Sequence, residues 1–399
     1  MLKTFLTFAL SSGLCSSLLA QTDADSTFRP GGKLWGYTFG DYYFKAHADS
    51  MNRGGGNQYS GIEKNRNAFQ IRRVYLGYIY NIHPHFTAEV LLAAEDNISG
   101  ANGNPTGDLT ANGKLTFYIK NASVRWKEIW KGTDIIIGLT PTPAFALLED
   151  GVWNYRSVER TITDIRRMPS YDLGLRVEGR FDPDNENIGY NVMVGNGSGA
   201  RPEADKFKHF YANVFGKFFE KRLVVALFAD YERLNWQPRF HHARNMLKAF
   251  VAYQTPTFTA GIEAFSNHSS EDVIGTHPTN TGSVADTLAA DAIGISTFMR
   301  GALVKNKLGY LLRYDHYNPD TKYDESYYEN YTGLSSTYEP NNRENFVVAG
   351  LDYTPIANVH LMPNVWYNSY KSERTGIKGA ARYDYDLVYR VTFYFVFGR

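Results

Sequence analysis

The chain has 399 residues, more than one ordinary soluble core accommodates and enough for a single large barrel. Its 42 Lys and Arg against 41 Asp and Glu leave almost no net charge, which gives no electrostatic footprint for nucleic acid or an acidic partner. Aromatic residues at 15% together with 35 glycines favour strands joined by tight turns over a helical protein.

The first residues read as a secretory signal. Lys3 supplies the positive charge, residues 5–10 with Leu14 the apolar run, and Leu18-Leu19-Ala20 a cleavage site before Gln21. The one cysteine, Cys15, lies inside this 1–20 segment and is preceded by Leu14, not by the small residue of a lipoprotein site. The mature chain is thus expected to be exported and to lack a disulfide frame. No other apolar run approaches the roughly 20 residues of a membrane helix. A short periplasmic segment, 21–32, then leads into a barrel spanning 33–399.

Period-two alternation marks about sixteen strands: 33–45, 67–81, 85–95, 114–127, 133–140, 171–181, 187–195 and 206–218 in the first half. The second half gives 222–234, 242–253, 257–267, 291–303, 308–318, 345–353, 358–371 and 382–397. The last is the clearest. Tyr383, Tyr385, Leu387, Tyr389, Val391, Phe393, Phe395 and Phe397 form one unbroken apolar face, while Arg382, Asp384, Asp386 and Arg390 share the other. Lipid on one side and water on the other explains such a strand. It must pair with the first strand so that no edge remains in lipid. Tyr78 with Tyr80, and Phe395 with Phe397, suit interfacial aromatic girdles.

Connectors after even strands are short, such as 82–84, 219–221 and 354–357, whereas those after odd strands are long: 46–66, 97–113, 141–170, 196–205, 235–241, 269–289, 319–342 and 372–381. This alternation predicts an all-β, up-and-down transmembrane barrel with short periplasmic turns and long outer loops. Three positions break the pattern. Arg72 and Arg73 are adjacent, Lys120 lies on an otherwise apolar face, and Pro363 removes a ladder donor. Bulges or shifted boundaries are the expected explanations.

A barrel of this strand number is too wide to be filled by its own side chains. The third outer loop is long and carries Phe145, Leu147, Leu148, Val152, Trp153 and Tyr155, which need a surface to pack on. It is expected to fold into the pore. There Arg156, Arg160, Arg166 and Arg167 would face Glu149, Asp150, Glu159 and Asp164 and set a transverse field. Arg73, Arg125, Arg176, Glu178, Arg180, Arg300 and Arg313 are the expected pore-lining charges, since a lipid-facing charge at mid-membrane costs about 2–4 kcal/mol.

The order Arg72-Arg73, residues 122–126, Ile137-Gly138, Pro143-Ala144-Phe145, Glu149, Arg160 and Tyr171-Asp172-Leu173-Gly174 with Arg176 resembles the phosphate-selective porin O/P family. The resemblance implies a sixteen-stranded, trimeric outer-membrane channel of a Gram-negative bacterium whose third loop attracts anions such as phosphate. The family's basic Gln-Phe-Lys after the glycine is here Leu139-Thr140-Pro141, and the third loop is charge-balanced, so a general or mildly anion-preferring porin is the expectation. Its partners would be outer-membrane lipid, small hydrophilic or anionic solutes and two further copies of itself, with no cofactor, metal or nucleic acid.

A hydrolase dyad from His268 and Ser269 fails because adjacent strand residues point to opposite faces. His209 with His241-His242 shows no carboxylate at metal-ligand spacing. The acidic, Tyr-rich 319–342 loop, with Asp320, Asp324, Glu325, Glu329 and Glu339, supports an adhesin or ligand-binding scaffold as the alternative function.

Overall fold

The computed structural model describes residues 28–54, 57–95, 110–111, 114–145, 147–166, 169–234, 242–328, 332–335, 341–374 and 376–398. The predicted signal segment, Cys15 and His241 lie outside them, as do Glu329, Glu339 and Arg167.

The strands that form the wall are β1 (Gly31–His47), β2 (Asn67–His83), β3 (Phe86–Glu95), β4 (Tyr118–Trp130), β5 (Thr133–Pro141), β6 (Tyr171–Arg180), β7 (Ile188–Gly195) and β8 (His209–Phe218). They continue as β9 (Leu223–Arg233), β10 (Ala243–Gln254), β11 (Phe258–Thr279), β12 (Gly282–Val304), β13 (Leu308–Asn318), β14 (Asn342–Ile356), β15 (Val359–Ser372) and β16 (Tyr383–Phe397). Each is antiparallel to its neighbours in sequence, and β16 returns to β1, so the sixteen strands close into one barrel. Large apolar side chains such as Leu173, Leu175, Val214, Leu247, Ile262, Leu351, Tyr389 and Val391 are exposed on the outer face, as a bilayer requires. No described helix is long and apolar enough to cross a membrane.

The closing seam is built from glycine sockets. In register, Gly36 faces Phe397 and Gly40 faces Phe393. A Cβ at Gly40 would lie 2.5 Å from the Phe393 ring and 2.1 Å from the Gln70 carbonyl oxygen, so only glycine lets the ring cover the backbone there. On the inner side of the same seam, Lys45 and Asp386 form an ion pair at 2.6 Å, both shielded from solvent. The strand thus ends at Phe397, with Gly398 turning away at φ 72°.

Two of the three misfits are bulges. The β1–β2 register passes from Phe39↔Arg73 to Gly40↔Ile71, leaving Arg72 as the extra residue. The β3–β4 register passes from Leu91↔Asn121 to Leu92↔Ile119, leaving Lys120 as the extra one. A bulge lets two consecutive side chains share one face, and Arg72, Arg73, Lys120 and Asn121 are all buried on the inside. Pro363 behaves differently. It keeps its register opposite Val391, and the β14 ladder resumes unshifted from Gly350↔Asn364 to Tyr353↔Leu361. Its ring points outward beside Leu361 and Val365, so the missing donor is tolerated without a bulge.

The predicted sixth outer loop, 269–289, is corrected to a hairpin. β11 and β12 run past the barrel rim with Val273↔Leu288, Thr276↔Ala285 and Thr279↔Gly282 in register. β-branched residues there outweigh the glycine and proline that read as loop. A short strand, Thr332–Ser335, adds to the hairpin at Ile274 and Thr276.

The seam gives the first prediction. Gly40→Val should lower the stability of the refolded barrel by about 1–3 kcal/mol or more, seen as a lower urea midpoint. An unchanged midpoint would show that the socket does not determine closure.

Candidate functional site

The segment 142–170 leaves β5 and returns to β6, and its ends are tied by the Thr142 amide donating to the Ser170 carbonyl at 3.0 Å. Between them lie a π-helical turn, Leu148–Trp153, and a single helical turn, α1 (Ile162–Arg166). Thr161 precedes α1, and its hydroxyl accepts the Asp164 amide at 3.4 Å.

The loop lies against the inner wall on two apolar patches. Ala144, Phe145 and Ile162 pack with Met193, Tyr211, Phe228, Met246, Phe265 and Tyr317. Val152, Trp153 and Val158 pack with Phe250, Phe298, Leu311, Val348, Trp366 and Val388, and the Trp153 ring meets Phe298 edge-on at 5.2 Å. The inner wall is therefore not uniformly charged. Much of the inward face of β7–β16 is apolar.

Burying loop backbone leaves carbonyls that need donors, and wall cations supply them. The Lys248 ammonium donates to the Ala144 carbonyl, Arg300 Nε to Val152 at 2.8 Å, and Arg390 Nη2 to Val158 at 2.8 Å. Arg72 donates to the Ser157 carbonyl and Arg313 to that of Arg160. Glu159 accepts the Trp366 indole N–H at 2.8 Å. Arg166 makes a bidentate contact with Glu344, at 2.9 and 2.7 Å, and lies 4.3 Å over the Tyr317 ring.

The described residues of the first outer loop, 48–54 and 57–66, fold inward as well, which strand alternation alone does not predict. Tyr59 is fully buried: its hydroxyl donates to Asp41 at 2.8 Å, and its carbonyl accepts from Lys45 at 2.7 Å. Asn57 donates to Glu344 at 2.7 Å, so one carboxylate joins both loops to the wall. Tyr59 and Ile62 in an otherwise polar loop were the available signal.

Between the third loop and the wall, residues of β2, β3, β4 and the start of β6, with Gly199 and Ala200, line an open cavity of about 270 Å³. Arg73 and Lys120 enter it from the wall, Arg156 and Arg160 from the loop, against the carboxylates of Glu95 and Asp164. Glu95 accepts from Arg73 at 3.2 Å, from Tyr75 and from Lys120. Arg156 donates to Asp164 at 2.7 Å. The Lys120 ammonium also sits 5.3 Å over the Tyr75 ring and 5.2 Å over that of Tyr171. Four cations to two carboxylates leave the cavity with two positive charges in excess.

The predicted site residues therefore divide. Arg156, Arg160 and Arg73 meet at the cavity, joined by Lys120 and Glu95, which the sequence does not single out as site residues. Arg313, expected to line the pore, is 1% exposed and bonded to Asp315 and the loop; Arg300 is likewise engaged with the loop. Their physical task is to satisfy loop carbonyls. Arg166 is a strap to the far wall. Arg125 pairs with Asp134 at 2.7 Å and with Glu178, while Arg176 holds the Pro141 carbonyl at 2.8 Å and Glu178 at 3.1 Å. Arg180 lies 5.1 Å over the Phe215 ring. The side chains of Glu149 and Asp150 lie outside the described ones.

The rival sites resolve by geometry. His268 faces outward, 2.7 Å from Asp291, while Ser269 is buried inside and accepts from Asn267, so the two do not form a dyad. His209 does have a carboxylate partner, Asp230 at 2.8 Å, and stacks on Tyr211 at 3.8 Å. No group of three metal-ligating side chains occurs among the described residues.

Burial alone would raise the Asp164 carboxyl, but Arg156, Arg160, Arg73 and Lys120 outweigh it and hold it below the ordinary carboxylate range. Glu159 is also held low: burial raises it, and Arg390 and Arg160 more than compensate.

No family model matches the sequence, and no curated protein matches it either. Solved structures do match in fold. The outer membrane channel DcaP of Acinetobacter baumannii has a TM-score of 0.62 at 11% identity, covering 92% of this chain and 97% of that one. An anion-selective porin from Comamonas acidovorans gives 0.57 at 10% identity, covering 92% and 100%. Salmonella typhi OmpF, in complex with daunomycin, gives 0.55 at 10% identity, covering 92% and 97%. The chain has the fold of the outer-membrane porins.

Because the folded values of Asp164 and Glu159 lie below their unfolded ones, their ionised forms stabilise the loop above about pH 4. That contribution is lost only as pH falls through the lower, folded values. Limited proteolysis of the third loop should therefore be constant from pH 5 to 8 and accelerate only under stronger acid. A change centred near pH 6.5 would point to histidine control instead.

Proposed function

We propose that this protein is an outer-membrane porin of a Gram-negative bacterium, through which small hydrophilic solutes diffuse passively, with anions preferred. The barrel fold shared with porins and channels supports passive diffusion. The observation that carries the anion preference is the cavity of Arg73, Lys120, Arg156 and Arg160, whose excess positive charge sits where the third loop meets the wall. A partly desolvated cluster of cations attracts anions and repels cations on approach. Phosphate suits the site because guanidinium groups bind tetrahedral oxyanions in bidentate fashion. The third loop acts as the constriction, and three copies assemble in the membrane.

One observation favours a second reading. Two outer loops fold inward and share a buried apolar cluster with the wall, so the barrel is filled on that side. A binding scaffold with a closed lumen is the alternative.

Planar-bilayer recording separates the two. A porin gives discrete conductance steps, with a reversal potential on the anion side in asymmetric KCl that shifts when phosphate is added. Arg156→Ala with Arg160→Ala should reduce the anion-to-cation permeability ratio about two- to fivefold, as expected for about 0.5–1 kcal/mol of screened charge. Absence of steps would establish the scaffold, and an unchanged ratio would return both arginines to a structural role.

A further inference from the structure

The cavity beside the third loop has a second lip. Gly199 and Ala200, from the fourth outer loop, line it together with Pro169 and Ser170 of the third. β7 ends at Gly195, so the chain that follows must cross the outer end of β6 to reach the cavity. Residues 196–201 form this strap.

One side chain, Asp172, fixes the crossing. Asn196 still follows the β6 backbone, its amide donating to the Leu173 carbonyl at 3.0 Å. The next amide, that of Gly197, donates to the Asp172 carboxylate at 2.8 Å. The same group accepts the Leu173 amide at 3.0 Å and the Tyr211 hydroxyl at 3.0 Å. Asp172 is fully shielded from solvent, and these donors satisfy a carboxyl group that would be costly to bury alone.

Glycine makes the close approach possible. A Cβ at Gly195 would lie 2.0 Å from an Asp172 carboxylate oxygen. Gly197 and Gly199 take the left-handed conformation, with φ of 87° and 64°. The Arg201 amide closes the turn on the Ser198 carbonyl at 3.2 Å. The turn lays Gly199 against the third loop: a Cβ there would be 3.8 Å from Pro169 Cβ and 3.5 Å from the Tyr171 carbonyl oxygen. Tyr171 thus lines the cavity while Asp172, next along, anchors the strap.

We propose that Gly199 and Ala200 set the upper size of the anion the cavity admits, with Asp172 as the positioning residue that holds them there. The inference rests on the anion-preferring reading above and gives it a substrate class, compact anions over extended organic ones. This lip consists of backbone and one methyl group, so it narrows the opening without adding charge. The cations of the cavity set the sign of the solute, and the strap sets its bulk.

Zero-current potentials in potassium chloride against potassium gluconate, recorded on the full chain in planar bilayers, read the strap directly. Ala200→Trp should raise the chloride-to-gluconate permeability ratio about threefold or more, because the added ring occupies the opening. Asp172→Asn should lower the ratio about twofold, since its amide NH₂ would meet donors where an acceptor is needed and release the strap. A merely structural role for Asp172 would change the folded yield and leave the ratio where it was. Placement is tested apart from conduction. Pro169→Cys with Gly199→Cys should form a disulfide on mild oxidation, because such bonds need Cβ atoms roughly 3.8 Å apart. Adding Asp172→Asn should reduce that cross-linking. An equal ratio for the wild type and Ala200→Trp, or an absent cross-link, would overturn the inference and leave the porin reading standing. A wild-type reversal potential on the cation side in asymmetric KCl would remove the reading itself, and the inference with it.

Discussion

The constraint on which the rest of this structure depends is the backbone of a loop buried inside a barrel. Segment 142–170 brings carbonyl groups into a space largely shielded from water, and each one left unpaired would cost about 1–3 kcal/mol. The wall answers with long cations. Arg72, Lys248, Arg300, Arg313 and Arg390 come from five different strands, and each donates to one loop carbonyl. Long, flexible donors suit this work because they reach across a gap that no neighbouring backbone fills. The apolar patches around Trp153 and Phe145 supply adhesion, but they are non-directional. It is the directional bonds that fix where the loop runs.

This division of labour explains why charge count along the strands is a poor guide to the pore. A positive side chain facing inward meets a loop carbonyl, a carboxylate of wall or loop, or the cavity beside the third loop. Arg313 is bound to Asp315 and the loop, whereas Arg73 and Lys120 share one glutamate at a cavity that also receives Arg156 and Arg160. Only the second kind adds to the field a solute meets. The cavity is basic because Glu95 serves two wall cations at once, and because Asp164, held ionised by the same cluster, neutralises only part of what the loop contributes.

The barrel itself was legible in the sequence because alternation, short turns and long loops are local signals that a bilayer amplifies. The closing strand is the clearest case, since its aromatic face meets lipid and its charged face meets Lys45, Asn364 and the first loop. Bulges are legible only as faults in alternation, at Arg72 and Lys120, and the cavity residues Arg73 and Lys120 lie at those faults. What could not be read was which inward residues touch which loop. Arg300 and Arg313 look identical to Arg73 in a list of strands; their roles depend on contacts separated by about 150 residues in sequence, Arg300 with Val152 and Arg313 with Arg160. The inward turn of the first loop depends on a like contact, Tyr59 with Asp41 and Arg390. The 269–289 hairpin is hidden for the opposite reason: its glycines and proline resemble loop, while its register is set by β-branched neighbours across the turn.

The two faces of β14–β16 show how one short stretch makes separate sets of contacts without interference. A strand alternates, so Glu344 faces inward to hold Arg166 and Asn57, while Arg343, one residue away, faces outward towards Glu373. The inner contacts are shielded from solvent and little screened by salt, whereas the outer charges are partly exposed and screened within about 8–10 Å. The same alternation that marks the closing strand as membrane-facing thus separates the interior hydrogen-bond network from the outward face.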